Sequence, residues 1–235
     1  MEDPRFGLLA GCVVDGADSR GLSNTAWSLA VLRCANHPLL EAIAAQALRQ
    51  DPMDFSPQGI ANLAWSFATL TSLDEPLRYA ISTMAVSRIT EFTPQELSIT
   101  AWSFASIAVG DFPLLDAIAV TSLPRIAQFD SQDLANSVWS YATLVYTNQP
   151  CLAAISLASV RKISAFGAQN VANTSWAFAR LAVFDIPLMN AISAAAQIKI
   201  FEFDMQSLSN TAWAFAWSSY AQNPLLEVIS GRLEA

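Results

Sequence analysis

A tryptophan recurs every 37 or 38 residues along this chain of 235 residues, and this period limits its fold more than any other feature. Proline follows each of these tryptophans by eleven residues, and phenylalanine precedes five of them by ten. Three residue types in phase over the whole chain exclude coincidence. A period of this length is typical of stacked supersecondary units. The tryptophans are Trp27, Trp65, Trp102, Trp139, Trp176 and Trp213.

Each repeat contains the signals for two helices. In the third repeat, Thr93 and Glu96 have the spacing of a capping box, and Pro94 stands at the first helical position of helix A. An Asn or Asp and the phased proline then begin helix B, with the pattern Pro-Leu-Leu-x-Ala-Ile. The sequence predicts an all-α fold without strands, an α-solenoid (superhelix) of about six 37-residue helix-turn-helix repeats.

The repeats predict a single α-solenoid domain over residues 1–235. Neither end has an obviously polar cap, which a free solenoid needs for solubility. We therefore expect the ends either to continue into a longer array or to be covered by partners. The expected repeats are approximately 17–54, 55–91, 92–128, 129–165, 166–202 and 203–235, preceded by a partial capping helix over residues 4–14.

Charge and residue chemistry exclude several classes of function. The chain has 12 Lys and Arg against 20 Asp and Glu, a net charge of −8. This balance disfavours a general phosphate-binding surface, because each phosphate contact needs a cation. The chain has one histidine, His37, in a turn position that varies among repeats, and it has no recognisable catalytic motif. We expect no enzyme activity, no cofactor and no metal site.

One uncharged segment, residues 134–160, is long enough to consider as a membrane span. It contains Asn136, Asn148, Gln149 and Pro150, whose polar groups would have to be buried in lipid. No transmembrane helix is therefore predicted.

One arc of helix A shows no packing pattern. With the tryptophan at 0° on a helical wheel, this arc lies at roughly 40–100°. It contains an asparagine three residues before the tryptophan, a Ser or Ala one residue after it, and a variable residue four residues after it. We expect this arc to be the concave surface of the superhelix and a ligand groove. The asparagines are Asn24, Asn62, Asn136, Asn173 and Asn210, and the variable residues are Val31, Thr69, Ser106, Thr143, Arg180 and Trp217.

The recurring asparagine needs a reason, because asparagine is a poor residue within a helix. One interpretation is a ladder of amides that bond neighbouring A helices, since buried polar groups usually find internal partners. The other is an amide array that binds an extended ligand, either a peptide backbone or base edges. The tryptophans likewise either pack between adjacent repeats or line the groove as stacking surfaces.

A basic residue recurs at the last turn of helix B in four repeats. It either complements the helix dipole or forms a track of phosphate contacts, one per repeat. Four cations in a chain with a net charge of −8 are weak evidence for RNA binding. The four residues are Arg88, Arg125, Lys162 and Lys199.

The string Leu-Ser-Asn-Thr-Ala-Trp at residues 22–27 and 208–213, with variants in other repeats, resembles the octotricopeptide and heptatricopeptide class of helical repeats. The resemblance covers essentially the whole chain. Such repeats are abundant in algal, dinoflagellate and apicomplexan organelle proteins. The resemblance implies an α-solenoid in a chloroplast or mitochondrion that is associated with RNA metabolism. It also implies that the asparagines and the variable residues contact bases.

Two functions remain after these exclusions. The neutral groove, the acidic charge and the uncapped ends favour a non-enzymatic scaffold or adaptor, a subunit or assembly factor of an organellar complex. It would bind a protein partner or an extended peptide. The alternative is a single-stranded RNA-binding protein of organellar RNA metabolism, which the resemblance and the basic residues favour. The organelle rests on the resemblance alone, and without it the sequence predicts a soluble intracellular protein.

Overall fold

The computed structural model describes residues 14–72, 74–217 and 224–234, and all structural statements refer to these residues. They contain twelve α-helices and no strand. Except for Val14, the expected capping helix over residues 4–14 lies outside the described residues. The A helices are α1 (Ser19–Val31), α3 (Pro57–Thr69), α5 (Pro94–Ser106), α7 (Ser131–Thr143), α9 (Ala168–Arg180) and α11 (Met205–Trp217). The B helices are α2 (His37–Ala47), α4 (Glu75–Ser87), α6 (Phe112–Ser122), α8 (Gln149–Lys162), α10 (Ile186–Ile198) and α12 (Pro224–Glu234).

A and B helices alternate along the chain, which confirms the predicted all-α solenoid. Each A helix is thirteen residues long. Short 3₁₀ helices precede the A helices from the second repeat onward. They span Pro52–Asp54, Ile89–Glu91, Leu123–Gln128, Ile163–Ala165 and Ile200–Glu202.

Side-chain caps begin the helices where the sequence predicts them. At α5 the Thr93 N–H donates to Glu96 Oε2 at 2.7 Å, and the Glu96 N–H donates to Thr93 Oγ1 at 3.3 Å. The same reciprocal pair forms at α7 between Asp130 and Asp133. These bonds satisfy backbone N–H groups that have no partner within the helix.

Five of the A helices, α1, α3, α5, α7 and α9, end with a residue in the left-handed region that is not glycine. The φ angle is +52° at Thr71 and +53° at Val145. The N–H of the following residue bonds back to the helix, as from Tyr146 to the Tyr141 carbonyl at 2.8 Å. This is the bonding pattern of a Schellman motif, which satisfies carbonyls at the helix end. The other residues of this kind are Arg33, Ala108 and Ala182.

The chain packs as two compact units, which divide within α6 between Ala117 and Ile118. In the first unit α3 packs against α1, α5 and α4, and α1 packs against α2. In the second unit α9 packs against α7, α11 and α10, and α10 also packs against α8 and α12. Each unit therefore has a layer of neighbouring A helices with B helices beside it. The single domain expected over residues 1–235 stays a prediction.

Phenylalanine fills the core at each junction between repeats. Phe55, Phe92, Phe129 and Phe166 are fully buried, and Phe203 is buried as well. Leucines three or four residues after the N-caps of α4, α8 and α10 are also buried, namely Leu77, Leu152 and Leu188. No helix among the described residues is both long and apolar enough to cross a membrane.

Candidate ligand-binding face

One stripe of side chains runs along every A helix at a spacing of four, three and four residues. This spacing places them on the same face of the helix. The stripe contains the residues seven and three positions before the tryptophan, the tryptophan itself, and the residue four positions after it. Because Gln and Asn dominate its first half, we call this stripe the carboxamide face.

The first position of the stripe is not among the groove residues expected from the sequence. It is glutamine in the second to sixth repeats, and the first repeat has Arg20 there. All five glutamine side chains are exposed. The signal was present in the sequence, because glutamine recurs with the same period of 37 residues. The glutamines are Gln58, Gln95, Gln132, Gln169 and Gln206.

The five asparagines lie on this face, and its role as a ligand groove stays a prediction. Asn24 is exposed, and the other four are half-buried. Within the described ranges, no protein hydrogen bond engages the side-chain amides of these asparagines or of the five glutamines. The ladder of amides between A helices, one of the two interpretations of the sequence, is therefore not formed in this part of the chain. Each carboxamide keeps an oxygen acceptor and an NH₂ donor for a ligand.

The variable residues also lie on the carboxamide face. Val31, Thr69, Ser106, Arg180 and Trp217 are exposed, and Thr143 is half-buried. The Ser106 hydroxyl donates to the Ser103 carbonyl at 2.8 Å, within its own helix. The Thr143 hydroxyl is buried and has no hydrogen-bond partner among the described residues.

The tryptophans combine the two roles that the sequence left open. Trp27 and Trp213 are 46% and 40% exposed, and the other four are half-buried. In α11 the Trp213 ring stacks on the Trp217 ring, with centroids 5.7 Å apart and an interplanar angle of 13°. The indoles therefore contribute apolar surface to the face while part of each packs against the protein.

The glutamines and asparagines line a cleft in each unit. In the first unit, a cleft of about 330 Å³ lies between α1 and α3 and is lined by Arg20, Asn24, Gln58 and Asn62, with Asp54 beside them.

The equivalent cleft of the second unit has about 450 Å³ and lies between α7 and α9. It is lined by Gln132, Asn136, Gln169 and Asn173, with Glu202 beside them. The same positions of the repeat thus form a polar cleft in both units.

Charge is distributed unequally between the units. The first unit has six basic and thirteen acidic residues, and the second has six basic and seven acidic. Helices α3 and α11 contain no charged residue. Among the described A helices, the cations are Arg20 and Arg180. Two cations cannot neutralise a run of phosphates along the face.

Three of the four basic residues at the end of helix B bond to the preceding repeat. Lys199 Nζ donates to the Phe166 carbonyl at 2.5 Å, and Lys162 Nζ donates to the Phe129 carbonyl at 2.5 Å. Arg88 Nη1 donates to the Phe55 carbonyl at 2.5 Å. In the first repeat, Gln50 Nε2 donates to the Ala17 carbonyl at 2.6 Å. Each residue thus bonds a carbonyl 33 residues earlier, and we call these contacts the inter-repeat hydrogen bonds.

Arg88 and Arg125 also bond to groups within a few residues of themselves in the sequence. Arg88 also forms a salt bridge of 2.6 Å with Glu91, and this hydrogen bond lowers the pKa of the Glu91 carboxyl. Arg125 donates to the Thr121 carbonyl at 3.5 Å, and its Nη2 is buried without a partner among the described residues. Neither interpretation from the sequence included the inter-repeat hydrogen bonds. The phosphate track stays a prediction, because a phosphate would have to compete with these carbonyls.

The carboxamide face is suited to binding a ligand. It provides neutral hydrogen-bond donors and acceptors together with aromatic surface. Among the described residues, no group of His, Cys, Asp and Glu could hold a metal ion.

The sequence matches the family described as RNA-editing substrate-binding complex 6 protein over residues 58–223. No curated protein matches the chain significantly. The matched segment includes five of the six repeat tryptophans and all five glutamines of the carboxamide face. It spans more than two thirds of the chain. The chain therefore belongs to the RNA-editing substrate-binding complex 6 protein family.

Proposed function

We propose that this protein is a non-catalytic scaffold in an RNA-editing substrate-binding complex, and that its carboxamide face binds an extended segment of a protein partner. The observation that carries the proposal is the set of ten carboxamides, on one face of the A helices, that form no hydrogen bond with any residue that the structure describes. Side chains of this kind, repeated at a fixed interval, can pair with the regularly spaced polar groups of an extended chain. The family supports a role in such a complex.

The distribution of charge favours a protein over RNA as the ligand. The carboxamide face has two cations, Arg20 and Arg180, in the described A helices. Arg88, Lys162 and Lys199 already donate to carbonyls of their own chain. Nucleic-acid binding depends mainly on contacts between cations and phosphates. A neutral polypeptide needs no such contacts.

The finer assignments are part of the proposal. The resemblance to octotricopeptide and heptatricopeptide repeats supports a location in an organelle, the mitochondrion or the chloroplast. That resemblance lies in the Leu-Ser-Asn-Thr-Ala-Trp strings of α1 and α11, on the helices that form the carboxamide face. Fractionation of cells that produce the tagged protein would determine the compartment.

The double substitution Asn136→Ala and Asn173→Ala should sharply reduce association with the complex. Each amide contributes hydrogen bonds to the partner of about 1 kcal/mol, so their joint loss should lower the affinity by about 30-fold. The tagged protein is purified from its native cells after RNase treatment, and the subunits of the RNA-editing substrate-binding complex that co-purify are quantified.

Gln149→Ala is the matched control, because Gln149 is an exposed carboxamide at the start of a B helix. This variant should retain all co-purifying subunits. Unchanged recovery with the double variant would contradict the proposal, provided that its thermal unfolding matches that of the unsubstituted protein.

A second candidate is single-stranded RNA binding, which the exposed and stacked pair of Trp213 and Trp217 favours. Bases stack on such aromatic rings without sequence preference, at about 1–3 kcal/mol per base. A gel shift with single-stranded RNA at low ionic strength tests it. RNA bound through this pair would be lost with Trp213→Ala. The absence of any shift at low salt would remove this candidate, since phosphate contacts are strongest there.

A further inference from the structure

We infer that the carboxamide face of the second unit binds a polypeptide segment in the polyproline II conformation, with three residues of the segment per A helix. The inference rests on the proposed function and specifies the conformation and chemistry of the bound segment. It concerns α7, α9 and α11, which pack in series within one unit.

The first argument is the spacing of the A helices. Packed helices lie about 8–10 Å apart, so equivalent residues on α7, α9 and α11 recur at about that interval. A polyproline II helix has three residues per turn and a rise of about 3.1 Å per residue, so each of its sides recurs every ~9.3 Å. A β-strand presents the same side every ~6.7 Å, so its side chains would no longer match the equivalent residues of the next A helix.

The second argument is the supply of hydrogen bonds. A polyproline II segment has no internal hydrogen bonds, and its backbone groups point outward. The cleft between α7 and α9 presents two pairs of carboxamides that have no hydrogen-bond partner in the described part of the chain. Gln132 and Asn136 form one pair, and Gln169 and Asn173 form the other. Each pair can accept from a backbone N–H and donate to a backbone carbonyl.

The third argument is the aromatic surface beside the carboxamides. Trp213 and Trp217 follow Gln206 and Asn210 along the stripe of α11, and their rings are exposed and stacked. Exposed indoles are the usual surface on which proline rings pack when a polyproline II segment is bound. A ring of the segment can pack against this pair while its backbone bonds the carboxamides.

The fourth argument is charge. On the three A helices, the charged residues are Asp133 and Arg180. Asp133 is buried and occupied in its capping box. Glu202 lines the cleft beside the carboxamides. One exposed cation and one nearby carboxylate fit a neutral, proline-rich segment better than a chain of phosphates.

The inference is tested by calorimetric titration of the full chain with three probes of the same length. The first is a twelve-residue peptide of repeated Ala-Pro-Pro, which favours polyproline II and has one free N–H per turn. The second is a Gly-Gly-Ser repeat, which has no preferred conformation. The third is a twelve-nucleotide oligouridine. The Ala-Pro-Pro peptide should bind at least tenfold more tightly than the Gly-Gly-Ser peptide.

Substitution locates the binding on the face. Asn173→Ala should weaken binding of the Ala-Pro-Pro peptide about fivefold, which corresponds to one net hydrogen bond of about 1 kcal/mol. Gln149→Ala, on a B helix, should leave the affinity unchanged within twofold. Equal effects of the two variants would contradict the inference.

The other outcomes separate this inference from the proposed function. If the Gly-Gly-Ser peptide binds as tightly and loses affinity with Asn173→Ala, polyproline II is wrong and the peptide-binding scaffold stands. If oligouridine alone binds and Asn173→Ala weakens it, both are overturned in favour of RNA. If no probe binds, the inference fails, and co-purification decides the proposed function independently.

Discussion

Phe166→Ala should lower the free energy of unfolding by about 3–5 kcal/mol, the usual cost of removing a fully buried phenylalanine. Phe166 is completely buried where one repeat meets the next. Its loss leaves a cavity that the neighbouring helices cannot fill without separating from their own contacts. The measurement is urea unfolding followed by circular dichroism, with the midpoint and the slope compared between variants.

Phe184→Ala provides the matched control. Phe184 is the same residue type in the same repeat, but 53% of it is exposed, so its removal should cost less than about 1 kcal/mol. Similar midpoints for the two variants would contradict the assignment of the phased phenylalanines to the core. A loss of stability with Phe166→Ala alone would show that the recurring phenylalanines are the buried ones that hold neighbouring repeats together.

Lys162→Met and Lys199→Met should each lower the free energy of unfolding by about 1–3 kcal/mol. Methionine keeps the apolar stem but leaves the carbonyls of Phe129 and Phe166 without the Nζ donor. Both phenylalanines are fully buried, so water cannot easily replace the lost donor. Lys199→Arg should restore most of the stability, because the guanidinium can also donate.

Arg161→Met is the control for the lysine variants. Arg161 is the exposed neighbour of Lys162, and its removal should change stability by no more than about 0.5 kcal/mol. The difference between Lys162→Met and Arg161→Met should persist at high salt, whereas a helix-dipole effect would be screened. If the lysine variants keep full stability and lose affinity for RNA, the phosphate track is the correct interpretation.

The 37-residue period predicted the fold because the signals for helix starts recur at the same positions in each repeat. Pro94 was expected at the first position of helix A in the third repeat, and α5 spans Pro94–Ser106. The capping box at Thr93 and Glu96 forms as expected. The helix ends at Thr71 and Val145 were not predictable, since a left-handed residue is usually signalled by glycine. Here the pattern of backbone hydrogen bonds holds β-branched residues in that region.

The candidate site was predicted in part. Asn136 and Asn173 lie on the expected face, because a period of 3.6 residues fixes the direction of a helical side chain. Gln132 and Gln169 recur in the sequence with the same period, but they lie one helical turn before the asparagines, at about 20° on the wheel and outside the arc of roughly 40–100°. The partner of Lys199 could not be inferred, since the bond joins residues 33 positions apart that only packing brings together.

The exposure of the tryptophans was likewise not determined by the sequence. An indole at a fixed helical position suits both a core and a binding surface. Trp213 is 40% exposed. How much of an indole is covered depends on which side chains of other helices pack against it, and the helical period does not determine that.

Site-specific photocrosslinking tests the central claim, that the carboxamide face contacts a protein partner, most directly. A photoreactive benzoylphenylalanine replaces Thr69 in the first unit or Arg180 in the second, both exposed on the face, with Gln149 as the control position. In native cells, crosslinks from positions 69 and 180 should join a protein subunit of the RNA-editing substrate-binding complex, and position 149 should give none. Protein crosslinks from position 149 alone, or crosslinks from the face to RNA alone, would contradict the claim.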